Sequence, residues 1–392
     1  MTEQAPQPGP SAQVVRTGQP QPRVAPRRPV QQRKDRSKPM PDRPIPAMGW
    51  QAGWYKLMCI LGQRHRVPRV GSKEQRVLDR QAGVAYLRSL TDQVPSLSFA
   101  FWNTKGGASK TPTAVHAAEV LSEHSRTLTV LIDGNQAAGT CAARYGLDYG
   151  DTVTTHQLSR NIREGEELAH RDFKSQITLA RPSAKGVRVV SAESIVDDQR
   201  QLSGKGMARV LELMGHNSEY LVVDTGNNVV ESLARSIGEY VDVFVFTANA
   251  QNDATRGNDT LRKIATTMDT LRKLGFEDKV NHAVVVISNM PKGKDLDDYR
   301  LYLNEVTLED KVKRMLDHKF DGKFVGVPHD AHVARDGIVD LEALSWETLQ
   351  AYIEVVSAIL EQSPKLRSLA SSQHEASNDD QTASPSDGRN QA

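Results

Sequence analysis

The segment richest in chemistry runs Phe99-Ala-Phe-Trp-Asn-Thr-Lys105-Gly106-Gly107-Ala108-Ser109-Lys110-Thr111-Pro112-Thr113. An apolar strand enters a glycine-containing loop, and a helical pattern leaves it. A phosphate group needs converging backbone N–H groups, close approach unobstructed by Cβ atoms, and a cation. Gly106 and Gly107 permit the approach. Ala108 and Ser109 continue the cradle into the helix, whose first amides and positive dipole end face the anion. Lys110 supplies charge, and Thr111 is placed to coordinate Mg²⁺. A Gly-Gly turn alone says little. Strand, loop, Lys-Thr and helix in that order favour a phosphate over a tight turn with solvated lysines.

Two more segments carry acids at predicted strand ends. The first is Val130-Leu-Ile-Asp133-Gly-Asn135-Gln-Ala-Ala-Gly139-Thr140, the second Tyr220-Leu-Val-Val-Asp224-Thr225-Gly226. An acid at a strand's carboxyl end faces the crevice where a doubly wound sheet binds its ligand. One such Asp is usually a cap or turn former. Two of them, ordered after a phosphate loop, favour the binding reading.

The elements that must position these residues alternate from residue 97 onward. Short Val/Ile/Phe-rich runs occur at Leu97–Trp102, Leu128–Asp133, Val187–Ser191, Tyr220–Asp224, Val241–Thr247, His282–Ser288 and Phe324–Pro328. Helical patterns lie at 112–124, 204–216, 229–239, 255–274, 306–319 and 340–362. Continuous apolar runs separated by helices predict an α/β fold with a doubly wound, mostly parallel sheet covered on both faces.

Lys-Gly-Gly-x-x-Lys-Thr resembles the deviant Walker A motif of ParA/MinD P-loop ATPases, written Lys-Gly-Gly-x-Gly-Lys-[Ser/Thr]. By motif order and strand count the resemblance covers roughly 97–360. It implies that Lys105 is the signature lysine reaching across an ATP-sandwiched homodimer, and that Lys110 is the ordinary Walker lysine. The Asp133 segment resembles switch I, and the Asp224 segment resembles the Walker B strand and switch II. Asp224 then holds the Mg²⁺ shell and the Gly226 amide senses the γ-phosphate. Asn289, closing Val284-Val-Val-Ile-Ser-Asn289, resembles the adenine-contacting position. The Val327-Pro328-His329-Asp330 loop resembles the other wall of that pocket. Asn after a strand is equally an ordinary turn residue, and the residues alone do not choose.

Three departures bear on hydrolysis. Ser109 replaces the glycine before the Walker lysine, a side chain that crowds the loop if φ is positive. Pro112 replaces a residue that normally offers an amide and hydroxyl toward the α-phosphate, and Thr113 compensates only in part. Asn135 stands where the family places the acid that positions attacking water. Asn can orient water but cannot accept its proton. The expected activity is a weak ATPase, with ATP and Mg²⁺ as cofactors. The alternative is a non-catalytic nucleotide-binding assembly protein. The arm, the segment Gly49-Trp50…Trp54-Tyr55-Lys56-Leu57 and Asp133-x-Asn135…Gly139-Thr140 resemble actinobacterial MinD/ParA-like ATPases found with type VII secretion systems and mobile elements. Asn at this switch position is usual there. That implies a secretion or conjugation partner as an alternative to partition-type DNA binding.

Charge and composition narrow the partners. Lys+Arg is 50 against Asp+Glu 48, a net charge of +2 over 392 residues. Residues 1–46 carry nine basic and three acidic side chains, so the basic excess sits on that arm and a uniformly basic coat is excluded. The arm also holds eleven of nineteen prolines, too little apolar surface to offset ordering its backbone. It reads as a disordered Pro/Arg/Gln-rich arm: a solvated tail, a phosphate-attracting strip or a docking segment. Residues 47–96 read as a helical adaptor, with Trp50, Trp54, Leu57 and Leu61 on one stripe. The nucleotide-binding domain is then 97–362 and a disordered polar tail 363–392. Arg256, Arg262, Lys263, Arg272 and Lys273 crowd one predicted helix, where non-specific DNA could bind. Two cysteines without metal spacing, no apolar leader and no ~20-residue apolar span predict a cytoplasmic protein without a transmembrane segment. The polar tail after Leu366 argues against MinD-type membrane attachment.

Overall fold

A computed structural model describes residues 73–125, 127–135, 139–148, 152–163, 178–179, 186–192, 202–227, 230–251, 259–290, 320–335 and 337–372. The arm, the Trp50/Trp54 stripe, the predicted helix 306–319, Arg256 and the last twenty residues lie outside them. Among the described residues no helix is long and apolar enough to cross a membrane.

The strands are β1 (Leu97–Trp102), β2 (Thr129–Gly134), β3 (Thr178–Leu179), β4 (Val187–Val190), β5 (Tyr220–Thr225), β6 (Val243–Asn249), β7 (Val284–Met290) and β8 (Lys323–Pro328). They form one sheet in the order β3-β4-β2-β5-β1-β6-β7-β8. Seven strands are parallel, and β3 alone pairs antiparallel, at the edge beside β4. The sequence reading found the seven parallel strands. It missed β3, which at two residues shows no periodicity.

The helices are α1 (Lys73–Gln93), α2 (Lys110–Ser125), α3 (Thr155–Arg163), α4 (Gly204–Asn217), α5 (Glu231–Tyr240), α6 (Asp259–Lys273), α7 (Glu277–Asn281), α8 (Ala331–Ala334) and α9 (Trp346–Glu361). Successive strand residues point to opposite faces, so a strand apolar at every position needs two covers. Phe99 and Phe101 of β1, with Val222, Val245 and Val286, pack under α1, α2 and α9. Ala100 and Trp102, with Val223, Phe246 and Ile287, pack under α3 to α7. Caps set two helix starts: Ser203 accepts from the Gly206 amide, and Ser345 from the Thr348 amide.

Helical structure resumes over 364–372, where the sequence reading began its polar tail. Ser363 Oγ accepts from the Leu366 amide at 3.4 Å, and Pro364 suits the first helical position. Lys365 Nζ reaches the Gln93 carbonyl, and Arg367 pairs with Asp278 at 2.9 Å. These side-chain anchors escaped a composition-based reading.

Candidate functional site

The central strand β1 lies between β5 and β6, so connections diverge to either side of it and leave a crevice at its carboxyl end. The chain leaves β1 through a pinned corner. Asn103 Nδ2 donates to the Thr247 carbonyl at 2.6 Å and the Thr260 carbonyl at 3.3 Å. Asn103 Oδ1 accepts the Lys105 amide at 2.8 Å. Gly107 then takes φ 75°, a left-handed conformation open to glycine at little cost.

Ser109 also takes a positive φ, 63°. This is the position where the sequence reading flagged a missing glycine, and the side chain does stand in left-handed backbone. Asn249 Nδ2 holds the strained segment from β6, donating to the Gly107 carbonyl at 3.2 Å and to Ser109 Oγ at 3.3 Å. Left-handed backbone costs a non-glycine residue about 1 kcal/mol. Ser109→Gly should therefore raise stability by about 0.5 kcal/mol after the loss of the Asn249 contact. Urea unfolding of the two proteins checks this, and a loss of stability would contradict it.

The helix begins at Lys110, which is buried. Its ammonium donates to Asn227 Oδ1 at 2.5 Å. Burial lowers the lysine's pKa, opposed by the attraction of Asp224. Thr111 Oγ1 donates to Asp224 Oδ2 at 2.5 Å. Thr113 departs from expectation. It is fully buried, and its hydroxyl donates to the Ser109 carbonyl at 2.6 Å. That bond ties the first turn of the helix back to the loop.

Asp133 and Asp224 stand opposite each other in the β2–β5 register. Both are buried. Asp133 accepts the Asn135 amide on Oδ1 and the Cys141 amide on Oδ2, each at 3.1 Å. Burial, then the charge of Asp224, pushes its pKa up to about 7 against those two N–H groups. Burial also raises Asp224, despite Thr111, Lys110 and Cys141. Two buried carboxyls this close do not both ionise cheaply without a cation. Asp224 Oδ1 is buried with no hydrogen-bond partner among the described residues. A hydroxyl oxygen and a carboxylate with a spare oxygen suit a hard divalent ion such as Mg²⁺.

Two glycines let the loops after β2 and β5 close on this pair. A Cβ on Gly139 would lie 2.1 Å from Asp133 Oδ2, and one on Gly226 would lie 2.9 Å from Asn135 Oδ1. Gly139→Ala should drive the Asp133 carboxyl off the Cys141 amide and cost about 2 kcal/mol. Chemical denaturation checks this, and an unchanged midpoint would contradict it. The contact at Gly226 places the Asn135 side chain between the Asp133 and Asp224 loops.

Beside the loop after β1 opens a cleft of about 730 Å³, within the size range of small-ligand sites. Gly107, Ala108, Ser109, Lys110, Thr111 and Pro112 form one wall, and Asn289 marks the far end. Asn289 sits in a register shift between β7 and β8 at φ 59°, with Oδ1 3.2 Å from His329 Nδ1. Such backbone suits Asn. Pro328 pairs with Met290 and lies outside the lining; Val333 and Ala334 of α8 line the cleft near that end. Gly106, exposed, and Lys105, half-buried, also lie outside the lining.

Sequence reasoning missed Asn227, Asn249 and Arg144, all in the lining. Asn249 ends β6 much as Asn289 approaches the end of β7, and that repetition was the available signal. Arg144 is buried in a short 3₁₀ turn, and its guanidinium reaches the Val333 carbonyl at 3.4 Å. Of the basic positions on α6, Arg262, Lys263 and Lys273 are exposed. Arg272 is committed to Asp269 and Asn281.

No protein-family model matches the chain. Over 265 residues it is 22% identical to the ESX-1 secretion-associated protein EspI of Mycobacterium tuberculosis, covering 67% of this chain and 36% of EspI. The chain thus spans little more than a third of that relative's length. A ParA family ATPase from Chlorobium tepidum superposes with a TM-score of 0.46 at 12% identity, over 68% of this chain and 96% of its own. The septum site-determining protein MinD of Pyrococcus horikoshii, solved with Mg-ADP, gives 0.46 at 14% identity, over 67% and 94%. These are likenesses of fold over about two thirds of the chain, and EspI is a relative in sequence at 22% identity.

Proposed function

We propose that the chain is an ATP-driven molecular switch. ATP with Mg²⁺ occupies the cleft, its phosphates on the loop of residues 106–111 and its base toward Asn289. One arrangement carries this reading: a buried Lys110 lines the cleft beside Thr111, which bonds an under-satisfied Asp224. Lys110 binds the phosphates once it leaves Asn227. Thr111 and Asp224 hold the ion, which neutralises the phosphates and the carboxyl pair. The Gly226 amide reports the γ-phosphate, and Asn135 orients water at a slow rate. Phosphoryl transfer needs positioning and charge more than covalent help, so such a site can turn over slowly and reset.

Two protomers enclose the nucleotide, each lending Lys105 to the other's phosphates. That Lys105 does not line its own cleft supports that reach. The dimer then presents a surface to DNA or to a protein assembly in the cytoplasm. The similarity to EspI favours a secretion assembly. Sedimentation velocity tests the switch: ATP with Mg²⁺ should shift monomer to dimer, and Lys110→Met should abolish the shift. No nucleotide binding at millimolar ATP would sink it.

Ser109, Pro112 and Asn135 favour a second reading, a non-catalytic assembly protein that holds nucleotide structurally. ATP binding without phosphate release under any partner condition would select it.

A further inference from the structure

The Asp133–Asp224 pair has a third member that the nucleotide reading does not use. Cys141 is fully buried, and its Sγ lies 3.5 Å from Asp224 Oδ2. One ligand atom each from Asp133, Cys141 and Asp224 fall within 4.8 Å of one another. An acidic pair near a thiol is not by itself a metal site. The second observation is Asp224 Oδ1, buried and without a hydrogen-bond partner among the described residues.

The geometry distinguishes two classes of ion. Mg²⁺ demands octahedral oxygen donors and has no use for sulfur. A tetrahedral zinc ion takes sulfur at ~2.3 Å and carboxylate oxygen at ~2.0 Å, which sets those two ligand atoms about 3.5 Å apart. Cys141 Sγ donates to Asp224 Oδ2 at that separation, 3.5 Å, so the ion takes the place of the shared proton. Three protein ligands leave a fourth position for water.

We propose that Asp133, Cys141 and Asp224 bind a thiophilic divalent cation, with zinc(II) as the reference ion, when the cleft holds no nucleotide. Cys141 gives up its proton to solvent as the Sγ–metal bond forms. The ion then offsets the charge of both buried carboxyls. Because Asp224 is shared, this ion and the Mg²⁺ of the nucleotide complex exclude each other, and zinc antagonises the ATP-bound state.

The test uses the full chain carrying Cys59→Ser, which leaves Cys141 as the sole thiol. Cobalt(II), the spectroscopic stand-in for zinc, should bind one equivalent and give a thiolate-to-cobalt charge-transfer band in the near ultraviolet. Zinc should displace it stoichiometrically. Adding Cys141→Ser should abolish the band and weaken zinc binding at least tenfold, with folding followed by circular dichroism. Cobalt bound without a thiolate band in the Cys59→Ser protein overturns the proposal whether or not the second variant folds. Unchanged zinc affinity in a folded Cys141→Ser protein also overturns it. Neither readout contains nucleotide, so failure here leaves the ATP switch standing, and failure of the switch leaves this site standing.

Discussion

Lys110→Met should separate binding from folding, because the lysine acts on the two in opposite directions. In the empty cleft its ammonium is buried and its pKa lowered by that burial, so the folded protein bears a desolvation cost. Its partners there are one amide oxygen and the attraction of Asp224. Methionine keeps the stem and removes the charge. The thermal midpoint of the empty protein should therefore hold or rise. A triphosphate meets this ammonium with far more charge than Asn227 offers. Removing one member of a buried charge-assisted contact costs about 3 kcal/mol, roughly a hundredfold in affinity. Calorimetric titration with ATP and Mg²⁺, set beside thermal melts of both proteins, reads the two effects separately. A variant that binds ATP as tightly as the parent would remove Lys110 from the phosphate site. One that melts much lower would make it a structural residue.

How much of this was legible in the sequence depends on whether the signal was local. Five of the parallel strands, β1, β2, β5, β6 and β7, were readable because they are buried on both faces and so mostly apolar, while β4 and the partly exposed edge strand β8 were readable from their valines. The two-residue β3 and the four-residue α8 are too short to show a period, and they exist because longer neighbours hold their ends. Helix 364–372 hides behind a polar composition. What orders it is a proline at its start and two long-range anchors, Lys365 on Gln93 and Arg367 on Asp278.

The site divides the same way. Lys110, Thr111, Asp133 and Asp224 were legible because each belongs to a motif that is contiguous in sequence, and the fold puts Lys110 and Thr111 in the cleft wall with Asp224 bonded to Thr111 and Asp133 opposite Asp224. The strain at Ser109 followed from one missing glycine. Asn227, Asn249 and Arg144 arrive at the cleft from three different elements, and only Asn249, placed at a strand end like Asn289, carried a local signal. Thr113 was misplaced for a simple reason. A hydroxyl one turn into a helix can bond to the carbonyl four residues back, and Thr113 does so to Ser109.

Asn135→Asp should be the variant that changes chemistry most. The amide of Asn135 is fixed on Asp133 Oδ1, and its side chain lies against Gly226, so position 135 already faces both carboxyl-bearing loops. Only the proton-accepting oxygen is missing. A positioned general base contributes about 10²- to 10⁴-fold, so phosphate release at saturating ATP and Mg²⁺ should rise about a hundredfold. The same substitution adds a third carboxyl beside two that are already hard to ionise together. At pH 8 without metal or nucleotide it should therefore lower the thermal midpoint, and ATP with Mg²⁺ should restore it. A faster but less stable empty protein would mean that Asn135 holds the switch slow. Unchanged turnover with the same loss of stability would mean that water is not positioned from this residue. The strained Ser109 and the amide lost at Pro112 would then be the features to reverse first.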